Sequence, residues 1–256
     1  MMIGDRHLHT NYSVDSKEPP ENVIHAAIRK GMKEICITDH KDFDFGPAWS
    51  LDLPAYYKGI TELKEKYAGQ IDVHFGVEVG LNPDYDSEMR EFLASYPFEY
   101  VIGSIHSVAG DDPYYRERYD MDDRQFLKLY FNELHKRISC AEGIDVLGHF
   151  DYTVRYARYG SRYYDPADYA EAIEEILKVI IRKEIALELN TAGLRKGAGF
   201  VHPHPYILDR FKELGGKWIS VGSDAHAAAD VGAGFEDALQ IMKEYGYDER
   251  NIIPYR

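Results

Sequence analysis

Six of the eleven histidines stand at or just past the ends of short apolar runs. They are His7 and His9 in DRHLHT, His40 in EICITDH, His106 in YVIGSIH, His149 in IDVLGH and His226 in ISVGSDAH. Two carboxylates take equivalent places, Glu78 in VHFGVEVG and Asp224 in SVGSDAH. Imidazole and carboxylate are the side chains that bind zinc, iron and manganese, and one such ion takes about four protein ligands. Eight candidates exceed the needs of one ion and suit a cluster of two or three.

Spacing strengthens several of these. His7 and His9 are two apart on an extended segment, so they share a face and can chelate one ion; Asp224 and His226 are related in the same way. Glu78 lies in an otherwise apolar run, where a carboxylate must be paired or bound because unpaired burial is costly; a structural salt bridge is the alternative. For His40 the alternative is a loop or capping histidine, and for His106 and His149 a hydrogen-bonded core residue. Asp15, in the loop SVDS, reads as a ligand or as a helix-entry residue. His25 and His135 fall in helical patterns, and His74 comes early in its run, away from the others. His202 and His204 (VHPHP) sit in a loop from which they could support ligands or touch substrate.

These positions need a frame that gathers them. Seven strand-like runs are visible, at 2–7, 34–38, 71–79, 99–105, 144–149, 185–190 and 217–223. Helical patterns separate them. Pro19 and Pro20 open the first, with Val23, Ile24, Ala27 and Ile28 on one face and Gly31 as its stop. Asp165 and Pro166 open another as N-cap and first residue, ahead of Ile173, Ile176, Leu177, Ile180 and Ile181. Strand–helix alternation implies a parallel sheet. Candidate ligands come from six of the seven strands, all at their C-terminal ends. In an open sheet those ends spread along an edge; in a barrel they converge on the rim where barrel active sites lie. The expected fold is a (β/α)7 TIM-like barrel.

Bulk properties set limits. The 256 residues and 45% hydrophobic content suit one α/β barrel, and no linker-like or low-complexity stretch divides residues 1–256. A net charge of −14 disfavours nucleic acid as a partner. Cys36 and Cys140 are the only cysteines and are expected as two buried thiols, fitting a reducing cytoplasm. The N-terminus lacks an apolar signal region, and no run approaches the ~20 apolar residues needed to span a membrane.

The ordered set HLHTNYSVDS, TDH, GVEVG, GSIHS, GHFDY, LELNTAG and GSDAH resembles the PHP (polymerase and histidinol phosphatase) family, and within it the bacterial histidinol-phosphate phosphatases, over essentially the whole length. The resemblance implies a distorted (β/α)7 barrel, in one domain, holding three divalent metal ions. It assigns His7, His9, Glu78 and Asp224 to one ion, the shared Glu78 with His106 and His149 to a second, and Asp15, His40 and His226 to a third. Zinc, iron and manganese all suit such ligands. The implied reaction is hydrolysis of the phosphate monoester L-histidinol phosphate, in histidine biosynthesis, by a metal-activated hydroxide held by Glu78, Asp224 and His226. Another phosphoesterase of the family is the nearest rival. A non-catalytic metal-binding domain is disfavoured by the full ligand set, and an amidohydrolase by the lack of an apparent lysine at a middle strand end.

A dianionic phosphate ester needs local positive charge in so acidic a chain. The loop DYTVRYARYGSRYYD carries Arg155, Arg158 and Arg162, and the glycine-rich loop NTAGLRKGAG carries Arg195 and Lys196. Arginine suits bidentate phosphate recognition, and the resemblance favours Arg155 and Arg195. Glu188 and Asn190 share a strand face and read as ligand-orienting or substrate-orienting groups. In KDFDFGPAWSLD, Asp42, Phe43 and Asp44 could receive a cationic amino alcohol or an imidazole, with Asp42 the chosen contact. The polar segment 111–123 reads equally as a lid or as a static loop.

Overall fold

The structure is a computed structural model. It describes residues 4–46 and 49–256; Met2 and Ile3 of the first expected strand, and Pro47 and Ala48 of the loop after the second, lie outside the described residues. The regular strands are β1 (Glu34–Ile37), β2 (His40–Lys41), β3 (Asp72–Gly80), β4 (Tyr100–Ser104), β5 (Val146–Leu147), β6 (Ala186–Asn190) and β7 (Ile219–Gly222). The helices are α1 (Pro20–Arg29), α2 (Leu53–Lys66), α3 (Asp86–Ser95), α4 (Asp123–Cys140), α5 (Ala170–Arg182), α6 (Ala192–Arg195), α7 (Pro205–Glu213) and α8 (Phe235–Glu244). All strand pairings are parallel, in the order β1-β3-β4-β5-β6-β7, with β2 continuing β1 alongside β3.

The ring is closed by the chain's first described segment, which pairs beyond the expected end at residue 7 as far as His9. Residues 5–9 run between β7 and β1. On one side Arg6 N–H donates to Val221 (3.3 Å) and His9 N–H to Ala225 (2.9 Å); on the other, Cys36 N–H donates to Asp5 (2.9 Å) and Thr38 N–H to Leu8 (2.8 Å). The ladder is irregular because the buried Asp5 carboxylate itself accepts backbone N–H bonds from Ser223 and Gly232. Six staves, counting β1 and β2 as one, plus this segment make the seven expected. All strands point the same way, so their C-terminal ends share one rim.

Helix positions follow their apolar spacing. α1 begins at Pro20 and buries Val23, Ile24, Ala26 and Ala27. α4 opens with a reciprocal cap between Asp122 and Gln125. Asp165 caps as expected, accepting the Ala167 N–H, but the turn it opens, Pro166–Tyr169, is a 3-10 turn that leads into α5. α6 is an addition: the expected glycine-rich loop winds into one helical turn.

One large apolar core joins helices to the outer barrel face. A smaller one fills the barrel interior, where Cys36, Tyr100, Ile102, Val146 and Ala186 pack against Ile253. The C-terminal residues thus cover the end of the barrel opposite the rim. Ile252 pairs with Ile219, and the Arg6 guanidinium binds the Ile253 carbonyl and lies 4.3 Å from the Tyr255 ring. Both cysteines are free; Cys36 is buried, but Cys140, expected inside, is exposed at the end of α4. Among the described residues no helix is long and apolar enough to cross a membrane.

Candidate metal centre

Parallel register delivers the side chains. His40 on β2 is paired with Glu78 on β3, so both reach the rim at one level. His106 and His149 follow directly on β4 and β5, His7 and His9 come from the closing segment, and Asp224 and His226 follow β7. Asp224 is one of few non-glycine residues with positive φ (52°), a conformation found at sites where surrounding structure enforces it.

Glu78 stands at the centre, almost fully buried. One carboxylate oxygen, Oε2, faces His40 Nδ1 at 3.0 Å, His7 Nε2 at 3.1 Å and His9 Nε2 at 3.4 Å. The other, Oε1, faces His149 Nε2 at 2.9 Å and His106 Nε2 at 3.3 Å, and accepts the Ser104 hydroxyl at 2.6 Å. Asp224 Oδ1 lies 3.5 Å from His9 Nε2 and 3.4 Å from His226 Nδ1. Asp15 Oδ2 lies 3.0 Å from His226 Nε2 and 3.5 Å from His40 Nε2. The imidazoles crowd one another, with His9 stacked 4.1 Å from His40 and 4.3 Å from His226. All nine side chains singled out as ligands therefore converge on one patch of rim.

This patch is poorly satisfied by protein atoms alone. His7 Nε2, His9 Nε2, His40 Nδ1 and Glu78 Oε2 are buried without a well-formed hydrogen bond, although each faces an atom of opposite character. Leaving buried polar atoms unmatched costs about 1–3 kcal/mol each, and native interiors rarely tolerate a group of them. Divalent cations accept these donor atoms and would satisfy them together. Four overlapping triads offer ligand atoms within 4.8 Å of one another: His7, His9 and Asp224; His9, His40 and His226; Glu78, His106 and His149; and His40, Asp42 and His106.

The protonation tendencies express the same crowding. Burial alone would raise Glu78, but His7, His106 and His40 hold it well below the usual carboxylate range. Burial disfavours charge on His7 and His106, yet the paired carboxylates Glu188 and Glu78, and Asp42 and Glu78, push both well up. His9 is driven well down by burial and by the neighbouring His40 and His226.

Buried carboxylates behind the ligands orient them. Glu188 Oε1 accepts from His7 Nδ1 at 2.6 Å, and Asp42 Oδ1 accepts from His106 Nδ1 at 2.8 Å, leaving both Nε2 atoms aimed at Glu78. Two glycines make room. A Cβ on Gly222 would lie 2.7 Å from Glu188 Oε1 and collide with His7, and one on Gly80 would collide with the Asp42 carboxylate. Asp39 accepts from the Thr10 and Ser13 hydroxyls (2.7 and 2.6 Å), fixing the turn between His9 and Asp15.

The expected substrate contacts divide. Arg155 lines the cleft above the histidines, its guanidinium donating to the Tyr156 hydroxyl (2.6 Å) and lying over the Tyr152 and Tyr156 rings. The other three do not line the cleft. Asp42 is buried behind His106, its Oδ1 on His106 Nδ1 and its Oδ2 3.8 Å from His40 Nδ1, so it meets the histidines and not the open cleft. Asn190 donates to Glu188 (3.2 Å) and accepts from the Ala192 N–H, so it braces the carboxylate that braces His7. Arg195 turns back to the Ser223 carbonyl (2.6 Å) and toward Asp230, while its neighbour Lys196 lines the cleft, 4.0 Å from Asp224. Arg158 binds the Tyr119 carbonyl. His202 pairs with Asp151 (2.7 Å) and His204 caps α7; neither lines the cleft. Within segment 111–123 the buried Arg116 donates to the Tyr119 and Met121 carbonyls and to Asp123 Oδ1. Asp112, Tyr114 and Trp49 line the cleft without having been singled out by sequence.

A barrel rim with clustered histidines and carboxylates defines a metal-dependent hydrolase type of site, and the sequence comparisons give it a family. The PHP domain model matches residues 5–192, and the chain belongs to that family. It is 32% identical to the histidinol-phosphatase of Lactococcus lactis, over 96% of this chain and 92% of that protein. It is 34% identical to a probable histidinol-phosphatase of Clostridium acetobutylicum, over 99% of this chain and all of that one. The crystal structure of the Lactococcus lactis histidinol phosphate phosphatase, in complex with zinc, L-histidinol and phosphate, superposes with a TM-score of 0.85 over 96% of this chain and 94% of the other, at 32% identity. A putative histidinol phosphatase from Listeria monocytogenes shares the fold at a TM-score of 0.79, with 24% identity, over 91% of this chain and 99% of that one.

Proposed function

We propose that this protein is a metal-dependent phosphoric monoester hydrolase that converts L-histidinol phosphate to L-histidinol and phosphate in histidine biosynthesis. The observation that carries the reading is Glu78 enclosed by five imidazoles, with Arg155 and Lys196 on the cleft above. The chain's kinship at 32% identity with a phosphatase crystallised with zinc, histidinol and phosphate supports the substrate.

Three ions suit the ligand set. His7, His9, Glu78 and Asp224 would hold one, Glu78, His106 and His149 a second, and Asp15, His40 and His226 a third. When bound, such ions acidify water and neutralise charge on phosphate oxygens. The chain's own groups do the rest. Glu188 and Asp42 fix the His7 and His106 rings, so that the Nε2 lone pairs are presented without reorganisation. Arg155 and Lys196 bind the phosphate dianion and draw it into an otherwise acidic protein. The Tyr152 and Tyr156 rings hold the Arg155 guanidinium over the cleft by cation–π contact. Two free thiols fit a reducing cytoplasm, where we place the protein.

Phosphate release from a substrate panel tests the reading. L-Histidinol phosphate is expected to be turned over with kcat/KM at least roughly tenfold above phenyl phosphate, phosphotyrosine and sugar phosphates, a discrimination of about 1.4 kcal/mol. Equal or slower turnover of histidinol phosphate would refute the assignment.

A further inference from the structure

We infer that Asp112 is a specificity residue that recognises a positively charged amino group on the substrate, next to its phosphate. The inference rests on the phosphatase reading above and adds what the cleft selects for.

Beyond the histidines the cleft continues along a wall of tyrosines. Tyr152 packs 4.7 Å from His149, Tyr156 lies 6.0 Å from Tyr152, and Tyr114 lies 6.1 Å from Tyr156. Asp112 shares this wall. The other carboxylates lining the cleft already face cations or imidazoles: Asp15 faces His226, Glu78 faces His149 and Asp224 faces Lys196. Asp112 differs. Among the described residues it forms no ion pair; its Oδ1 accepts the Tyr114 N–H at 2.8 Å, and its negative charge is not neutralised by the protein.

Its position is fixed in advance. The Asp112 N–H donates to Asp111 Oδ1 (2.9 Å), Asp111 and Val108 form a two-way backbone bridge, and Tyr119 Oη binds both the Val108 and Asp111 carbonyls. A carboxylate so held loses little freedom on binding a cation. The cleft therefore offers Arg155 and Lys196 to an anion, and Asp112 and the tyrosine faces to a cation. Phe45 and Trp49, packed 5.4 Å apart, add flat apolar surface to the same cleft. The receptor fits a small zwitterionic amino-alcohol phosphate carrying a planar ring, and an unsubstituted alkyl phosphate leaves Asp112 unmatched.

Asp112→Asn tests this cleanly, because asparagine keeps the side-chain oxygen that caps the turn at Tyr114 and removes only the charge. Wild type and variant are assayed on L-histidinol phosphate and on the same ester with hydrogen in place of the amino group. The variant is expected to lose roughly 10- to 100-fold in kcat/KM on the amine-bearing ester, mainly through KM, while changing less than about twofold on the amine-free one. Equal loss on both esters, no loss on either, or a wild type indifferent to the amino group would each overturn the inference. Failure of the phosphatase reading is seen separately, as wild-type turnover of histidinol phosphate no better than phenyl phosphate. An amine preference abolished by the variant would sustain the role of Asp112 even then.

Discussion

Glu188 Oε1 lies 2.6 Å from His7 Nδ1, and both side chains are completely buried. Glu188 also accepts the His149 N–H at 2.7 Å through its other oxygen, so one carboxylate sets two ligands on different strands. Glu188→Gln keeps the shape but weakens its hold on the His7 N–H and alters the ring's basicity. Metal affinity is expected to fall roughly 10- to 100-fold with the fold intact. Titration of the apo protein with zinc, alongside circular dichroism, measures both; unchanged affinity would deny Glu188 this role.

Arg155 and Arg195 are expected to behave differently despite their equal chemistry. Arg155 overlooks the cleft, whereas Arg195 binds the Ser223 carbonyl and approaches Asp230. Arg155→Ala should raise both KM and the inhibition constant of inorganic phosphate by roughly 10- to 100-fold, as expected when a charged hydrogen bond is lost. Arg195→Ala should instead lower thermal stability by about 1–2 kcal/mol with a smaller effect on phosphate inhibition. Steady-state kinetics and thermal melts on both variants decide it; a phosphate effect confined to Arg195→Ala would reverse the assignment.

At the opposite end of the barrel, Glu99 is a stability group. Burial raises its pKa, but hydrogen bonds from His74, Lys64 and the Phe75 N–H outweigh burial and hold the carboxyl at about 2. A depressed folded-state pKa contributes stability above the unfolded value of 4.5 and loses it as the pH falls from there toward 2. The contribution is about 1–2 kcal/mol after allowance for its partial exposure. Denaturant melts between pH 6 and pH 2, taken as about the span of this titration, should show Glu99→Gln destabilised at the upper end and converging with wild type at the lower. A constant difference across the range would contradict it.

Much of this site is legible in sequence, and the exceptions have physical causes. A histidine directly after an apolar strand must emerge at the strand's end, so the rim positions of His40, His106, His149 and His226 follow from local pattern. Asp42 is two residues beyond His40 and shares its strand face, a signal for a rim position; what sequence does not reveal is that His106, 64 positions on, arrives in front of it. Lys196 lines the cleft in place of Arg195 because the presumed loop forms α6, which ends at Arg195 and leaves Lys196 as its C-cap residue. The first strand runs past its expected end at residue 7 because Leu8 pairs with Ala225 on one side and accepts the Thr38 N–H on the other, partners that the local pattern does not reveal. Asp112 was hidden among six acidic residues between 111 and 123, which composition alone cannot rank.

The crowding of imidazoles around Glu78 predicts that the protein binds several metal ions together. Elemental analysis of purified, active protein by inductively coupled plasma mass spectrometry, on wild type and Glu78→Gln, addresses it directly. Nine ligands with one shared carboxylate predict about three divalent ions per wild-type chain, and loss of about two of them with nearly all phosphatase activity in the variant. Full activity in wild-type protein carrying one ion or none per chain, or an unchanged metal count in Glu78→Gln, would contradict the account.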